Sequence, residues 1–180
     1  MSKLVILDRD GVINEDSDQY IRSLEDWVPI DGSLEAIAQL SQAGFSIAVA
    51  TNQSGVGRGY YSEQTLQQMH DKMQDLLATM NARVDYIAAC LHHPDAACEC
   101  RKPKAGLFKQ IAKHFSCDLT GVPAVGDSLR DLQAAQVVKA QPILVRTGKG
   151  ERTLAKREGL DNIPVFANLQ SVVNDLLLNL

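Results

Sequence analysis

The sequence predicts an α/β fold: a Rossmann-like, doubly wound and mostly parallel sheet with helices on both faces. Three observations predict it. Short apolar runs recur along the chain, segments with helical spacing of apolar residues separate them, and polar motifs follow directly after the runs. With 180 residues, 45% of them apolar, the chain has enough for one buried core and too little length for two ordinary domains, so residues 1–180 are read as one domain.

The first strand is Leu4-Val5-Ile6-Leu7. Residues 33–43 carry Leu34, Ile37, Ala38 and Leu40 at helical spacing, with Asp31 or Ser33 as the expected N-cap and Gly44 as the stop. Residues 46–50 give the second strand, which runs into a glycine-containing loop. Ser62 opens a long amphipathic helix, with Thr65 an imperfect capping-box partner. A third strand follows at 86–89, a loop at 90–104, a helix at 105–115, a fourth strand at 123–125, a helix at 129–136 and a fifth strand at 143–145. The last helix, 169–180, is expected to pack Leu176, Leu177, Leu178 and Leu180 on the sheet. No repeat, low-complexity tract or long linker divides the chain.

Charge and hydropathy exclude several functions. A net charge of -4 without any Lys/Arg-rich run argues against a nucleic-acid partner, yet leaves room for a local basic pocket that takes a small phosphorylated substrate. No apolar run is long enough to span a membrane, and Met1-Ser2-Lys3 leads straight into a short apolar run and then charges, unlike a signal peptide. The expected protein is cytoplasmic and monomeric.

The polar motifs all fall just past the C-terminal ends of the expected strands, the edge where open parallel sheets bind ligands. Asp8 and Asp10 are two apart, so in extended geometry their carboxylates point to one side and share one small site. Relieving their repulsion takes a cation or a proton, which can supply a nucleophile and a general acid from one residue type. The plain alternative is a strand-end turn. Thr51 offers a hydroxyl, and the backbone of Asn52, Gln53, Ser54 and Gly55 can present N–H groups to an anion, although such a stretch is more often a simple turn. Arg101 and Lys102 provide the positive charge a phosphoryl group needs in transfer, or else are solvated surface. Asp127 suits Mg²⁺, which takes few carboxylates and keeps several waters; the alternative is a helix N-cap at Asp127 or Ser128.

A second constellation is Cys90-Leu91-His92-His93 followed by Cys98-Glu99-Cys100. Cys90, His92, Cys98 and Cys100 give four ligands within one short loop, which suits tetrahedral, structural Zn²⁺ with no open position. His93 is an alternative to His92, and free or disulfide-bonded cysteines are the alternative to a metal. Because the loop ends immediately before Arg101 and Lys102, fixing it also fixes both cations. Cys117 reads as a free thiol, and His70 and His114 receive no function.

The ordered set Asp8-Arg9-Asp10-Gly11, Thr51-Asn52-Gln53-Ser54, Lys102 and Gly126-Asp127 resembles the four motifs of the haloacid dehalogenase superfamily of phosphatases, with no large cap domain. The resemblance implies that Asp8 attacks phosphorus, that Asp10 protonates the leaving alkoxide and later activates water, and that Thr51 and Lys102 stabilise the phosphoryl group. It implies Mg²⁺ held by Asp8, Asp127 and the backbone carbonyl of Asp10. Asp131 is left between a structural role and one in orienting Lys102 or a metal-bound water.

The zinc loop narrows the resemblance to a subfamily whose members dephosphorylate either a heptose 1,7-bisphosphate, at the 7-position, or histidinol phosphate. Ser54-Gly55-Val56-Gly57-Arg58-Gly59 and Leu144-Val145-Arg146-Thr147-Gly148-Lys149 are similar to the heptose branch; the histidinol branch tends to an acidic residue in place of Ser54. The substrate contacts so implied are Asp16, Ser17, Asp18, Gln19, Asn52, Gln53, Ser54 and Arg101, and the implied role is a step toward nucleotide-activated heptose for bacterial outer-surface glycans. Two departures bear on sugar contacts: the stretch 16–20 is one residue longer than in some members, and the zinc loop is compact. Readings of other classes are a DNA 3′-phosphatase and a zinc-stabilised binding module without activity.

Overall fold

The computed structural model describes residues 3–179. Six strands form one sheet: β1 (Leu4–Leu7), β2 (Ser46–Asn52), β3 (Tyr86–Cys90), β4 (Pro123–Gly126), β5 (Gln141–Val145) and β6 (Val165–Phe166), in the order β3-β2-β1-β4-β5-β6 with every pairing parallel. The order reverses direction between β1 and β4, which opens a crevice at their C-terminal ends. Leu7 stands beside Val125 in register, and the Asp8 N–H donates to the Val125 carbonyl at 2.9 Å. The residues just beyond, Asp8 and Asp127, therefore face each other across the crevice.

Strand periodicity assigns the two faces. Val5, Leu7, Ile47, Val49, Val125, Ile143 and Val145 pack on one face with α1 (Ser33–Gln42), α3 (Glu63–Ala78) and α7 (Leu169–Leu178). Leu4, Ile6, Ala48, Ala50, Ala88, Cys90 and Ala124 pack on the other against α4 (Gly106–Phe115) and α5 (Leu129–Val137). Small residues dominate this second face, so α4 and α5 approach the sheet closely. Each large aliphatic side chain buried in this way contributes about 1.5–3 kcal/mol.

Several details differ from the sequence expectation. The N-cap of α1 is neither Asp31 nor Ser33 but Gly32, at φ 81, because the Ser33 hydroxyl donates to the Val12 carbonyl at 2.9 Å and is buried inside the helix. The loop expected after β2 contains a helical turn, α2 (Ser54–Gly57). A helix, α6 (Gly150–Lys156), and the short edge strand β6 were not expected at all. In α7, Leu176 and Leu177 pack on the core as expected while Leu178 is exposed; Leu180 lies outside the described residues.

No separate domain is inserted between elements of the described residues. Instead the segment 12–32 packs with α1 and α3, with Trp27 fully buried, and Lys72 Nζ of α3 ties it down by donating to the carbonyls of Leu24 and Trp27 at 2.7 and 2.8 Å. Among the described residues no helix is long and apolar enough to cross a membrane.

Candidate active site and metal centre

A cavity of about 190 Å³ lies over the crevice, lined by Asp8, Asp10, Asp127 and Asp131, the loop 16–18, Asn52 to Ser54, and the cations Arg101, Lys102, Arg130 and Lys149. Five loops reach it because five parallel strands, β1 to β5, end beneath it.

Lys102 is the electrostatic centre. Its ammonium, 3% exposed, lies 3.0 Å from Asp8 Oδ1 and 2.6 Å from Asp131 Oδ1, and donates to the Ala50 carbonyl at 2.6 Å. Three donors meet three acceptors, so the group is satisfied although buried. Burial opposes its charge, but Asp131 and Asp8 outweigh it and raise its pKa. The Lys102 backbone is clamped by the Asn52 amide, which donates to its carbonyl at 3.1 Å and accepts from its N–H at 3.0 Å.

Asp8, Asp127 and Asp131 bring one carboxylate oxygen each to within 4.8 Å of one another. Burial, followed by the Asp131 charge, pushes Asp8 up to about 7, and burial with the charges of Asp131 and Asp8 pushes Asp127 up to about 8. Asp131 goes the other way: despite burial, Lys102 holds it low, as do the Ser128 N–H at 3.0 Å and hydroxyl at 2.7 Å. Two buried carboxylates short of positive charge fit a hard divalent cation such as Mg²⁺. The backbone is shaped around Asp127: a Cβ on Gly11 (φ +84) or Gly148 (φ +57) would overlap its Oδ2, which accepts the Lys149 N–H at 2.7 Å.

The Asp10 carboxylate is turned away from that trio. Oδ1 takes Arg9 Nε at 2.9 Å and Asn14 Nδ2 at 2.9 Å, and Oδ2 takes Gln53 Nε2 at 3.0 Å. Burial is outweighed chiefly by the Arg9 charge, and Asp10 is held below the usual carboxylate range. Arg9 is itself fully buried, with NH1 3.3 Å from His70 Nε2. Burial, then Arg9, lowers His70 to about 4, so the ring is neutral and accepts this bond. The sequence suggested no polar partner for His70; Arg9 is that partner. Tyr61 completes the network by donating to Gln53 Oε1 at 2.7 Å, which leaves Gln53 Nε2 facing Asp10 and Thr51.

Most sequence candidates converge here. Asp8, Asp10, Asp16, Ser17, Asp18, Asn52, Gln53, Ser54, Arg101, Lys102 and Asp127 all line the cavity. Two do not. Thr51 is buried with its hydroxyl accepting from Gln53 Nε2 at 2.8 Å, and Gln19 is exposed, its carbonyl accepting from Arg22 Nε at 2.7 Å. Asp16 pairs with Lys149 Nζ at 3.0 Å, and Asp18 with both Arg152 nitrogens at 2.9 and 3.0 Å. Sequence reasoning missed Arg9, Tyr61, Arg130 and Lys149 as site residues. Lys149 and Arg130 each follow a strand-end motif by a few residues, a position that could have flagged them.

At the neighbouring edge, Cys90, His92, Cys98 and Cys100 bring their ligand atoms within 4.8 Å of one another. Sulfur separations are 3.1 Å for Cys90–Cys100 and 3.6 Å for the other two pairs, and His92 Nδ1 is 3.1 Å from Cys100 Sγ. A tetrahedron with metal–sulfur bonds of about 2.3 Å has edges near 3.8 Å, so this donor set fits Zn²⁺ with a slight opening. His93 stands outside the cluster, and its Nδ1 accepts the Asp95 N–H at 3.2 Å. Burial opposes ionisation of Cys98, yet the Arg101 N–H and neighbouring thiols bring it down to about 6, whereas burial and the other two thiols push Cys100 up to about 12. The loop is held from both sides: a Cβ on Gly57 of α2 or on Gly106 of α4 would overlap its backbone.

Two family models match the chain, one described as polynucleotide kinase 3 phosphatase over residues 3–130 and one as HAD-hydrolase-like over residues 99–176. The D-glycero-β-D-manno-heptose-1,7-bisphosphate 7-phosphatase of Pseudomonas putida is 54% identical over 97% of this chain and 99% of that protein, and the Pseudomonas aeruginosa protein of the same name is 52% identical over 97% of each. Among solved structures, the D,D-heptose 1,7-bisphosphate phosphatase of B. bronchiseptica, complexed with magnesium and phosphate, superposes with a TM-score of 0.97 at 49% identity over 99% of both chains.

Proposed function

The chain belongs to the D-glycero-β-D-manno-heptose-1,7-bisphosphate 7-phosphatase family of haloacid dehalogenase-like hydrolases, and from that premise we propose that it removes the 7-phosphate of this sugar bisphosphate through an aspartyl-phosphate on Asp8. The observation that carries the mechanism is the placement of Asp8 against Lys102, 3.0 Å away, beside the carboxylates of Asp127 and Asp131.

In this reading Asp8 attacks phosphorus, the bond from phosphorus to the sugar oxygen breaks, and Asp10 gives its proton to the departing alkoxide. In the resting site Asp10 is a carboxylate held by Arg9; the negative charge of an arriving phosphate favours its protonation. Asp10 then takes a proton from the water that attacks phosphorus and releases Asp8. Lys102 compensates charge on the phosphoryl oxygens, with Thr51 a positioning group that acts through Gln53. Asp8, Asp127 and the backbone carbonyl of Asp10 would hold Mg²⁺, which supplies charge neutralisation at the phosphoryl group. Asp131 would hold Lys102 in place. Cys90, His92, Cys98 and Cys100 would hold a structural Zn²⁺ that sets loop 90–104, and so Arg101 and Lys102, over the cavity.

Residues 1–180 are read as one domain, acting as a cytoplasmic monomer without a nucleic-acid partner. Although one matching family model is named for a polynucleotide 3′-phosphatase, the net charge of -4 without a basic run disfavours a polynucleotide track. The product, a heptose 1-phosphate, suits a following nucleotidyl transfer to the anomeric phosphate. The relatives favour the heptose substrate over histidinol phosphate.

The test is steady-state phosphate release with Mg²⁺ from heptose 1,7-bisphosphate and from histidinol phosphate. A kcat/KM preference for the bisphosphate, abolished in Asp8→Asn, is expected. Turnover that survives Asp8→Asn would refute the covalent route, and a preference for histidinol phosphate would refute the substrate.

A further inference from the structure

Helix α3 buries five side chains, Leu66, Met69, His70, Met73 and Leu77, and His70 is the one polar member. A leucine would fill that position with apolar surface, whereas a buried imidazole costs stability unless its ring nitrogen finds a partner. Nε2 of His70 lies 3.3 Å from Arg9 NH1. Arginine has no acceptor, so Nε2 accepts and the ring proton sits on Nδ1.

This bond completes the surroundings of a fully buried guanidinium. Arg9 Nε and NH2 face Asp10 Oδ1 at 2.9 and 2.8 Å, and NH2 also donates to Gln53 Oε1 at 3.3 Å. At the other end of the fork, NH1 meets His70 and, at 3.9 Å, Met69 Sδ, a weak acceptor. Asp10 Oδ1 thus takes two Arg9 nitrogens and Asn14 Nδ2, whereas Oδ2 takes Gln53 Nε2 alone. One oxygen anchors the carboxyl and the other is left open to exchange a proton. Without His70, NH1 keeps no strong acceptor among the described residues, and the guanidinium can pivot and carry Oδ1 with it.

We propose that His70 is a positioning residue for the reaction: by accepting from Arg9 it fixes the orientation of Asp10, with Oδ2 left to serve the leaving oxygen. This deepens the reading of Asp10 as the acid and rests on it. His70 does not line the catalytic cavity, and its effect passes through two contacts, His70 to Arg9 and Arg9 to Asp10.

The experiment compares wild type, His70→Leu, His70→Gln and Asp10→Asn on two substrates with Mg²⁺. Heptose 1,7-bisphosphate releases an alkoxide that needs a proton. p-Nitrophenyl phosphate releases a group that does not, and p-nitrophenol release in the first turnover, read by rapid mixing, reports formation of the aspartyl-phosphate alone. His70→Leu is expected to lower kcat on the bisphosphate roughly 10- to 100-fold with KM little changed, the scale of a misplaced catalytic group, and to slow the first turnover of p-nitrophenyl phosphate much less. His70→Gln, whose Oε1 accepts in place of Nε2, should recover most of the loss. Equal losses in both assays, no loss, or a glutamine variant as poor as the leucine one overturns the assignment. Should His70→Leu fail to fold, His70→Met, apolar with only a weak sulfur acceptor, takes its place under the same criteria. Asp10→Asn separates the two readings. A selective loss there without one in His70→Leu removes His70 alone, while an unselective loss in Asp10→Asn refutes the acid reading and this inference with it.

Discussion

Lys102 Nζ lies 2.6 Å from Asp131 Oδ1, and this buried pair joins the zinc loop to the first turn of α5. Asp131 also accepts from Ser128 through its other oxygen, so one carboxylate both caps α5 and holds the ammonium beside Asp8. Asp131→Ala removes the cap and half of the charge that keeps Lys102 ionised. Breaking a buried pair from one side costs about 3–5 kcal/mol. Denaturant unfolding should show a loss of that order, with kcat reduced as well. A variant of wild-type stability would mean the pair is not what holds Lys102.

Adding a methyl group to the glycine cradle around Asp127 should act on metal binding. Gly148→Ala and Gly11→Ala each place a Cβ against Asp127 Oδ2 at a positive φ. The backbone strain alone costs about 1 kcal/mol. Displacing the carboxylate should weaken Mg²⁺ roughly tenfold or more, read by titration calorimetry, with melting lowered a few degrees in Gly11→Ala and further in Gly148→Ala, whose Cβ also meets the Gly11 Cα. Normal Mg²⁺ affinity in both variants would exclude Asp127 as a ligand.

The raised pKa values of Asp8, about 7, and Asp127, about 8, give the metal-free protein a definite pH dependence. Both lie above the unfolded value near 3.8, so between roughly pH 4 and 8 these two carboxylates bind more protons in the folded chain than in the unfolded one. Their contribution to stability is therefore present in acid and is lost as pH rises through 7 and 8. Mg²⁺ binds the deprotonated pair, so its apparent affinity should rise over the same window. Melting curves with chelator and with Mg²⁺ from pH 5.5 to 8.5 (roughly spanning these values) should diverge as pH rises; parallel curves would contradict the assignment.

Elemental analysis should find about one equivalent of zinc per chain, given a four-ligand site. Cys100→Ser, which removes one ligand, should lose it. Loop 90–104 gives the two apolar layers only a small share, Leu91 on one side and Cys90, Cys98 and Cys100 on the other, so far-UV circular dichroism should largely persist while hydrogen exchange in the loop quickens. Activity should fall with it, because Lys102 follows Cys100 by two residues and is clamped to Asn52. Loss of zinc with unchanged exchange and kcat would show that the metal does not set the cations.

The parts of this site that were legible in the sequence are those where chemistry follows a strand end within a few residues. Asp8, Asp10, Asp127 and the cysteine loop are of this kind. Arg9 and His70 were not, since 61 positions separate them and only packing of α3 on the sheet brings NH1 within 3.3 Å of Nε2. Thr51 was legible as a motif but not in its orientation, because Gln53 captures its hydroxyl. The missed α6 has one large apolar residue, Leu154, in Gly150–Lys156, and β6 is two residues long; neither carries a period to read. Gly32 won the α1 cap from Ser33 through a tertiary bond to Val12, 21 residues away, which no local pattern encodes.

If Asp10 protonates the leaving oxygen, its removal should matter in proportion to how badly the leaving group needs a proton. A sugar alkoxide needs one; p-nitrophenolate does not. Asp10→Asn keeps a side chain that Asn14, Gln53 and Arg9 can still hold, so the pocket should remain assembled. General acid catalysis contributes roughly 10²- to 10⁴-fold, and a loss of that order is expected in kcat/KM on the heptose bisphosphate. On p-nitrophenyl phosphate, formation of the aspartyl-phosphate should be far less affected, leaving a burst of p-nitrophenol followed by slow turnover, because the same residue is also needed to activate water. Equal losses in the burst and on the sugar phosphate would remove Asp10 from the acid role and leave it as a buried partner of Arg9.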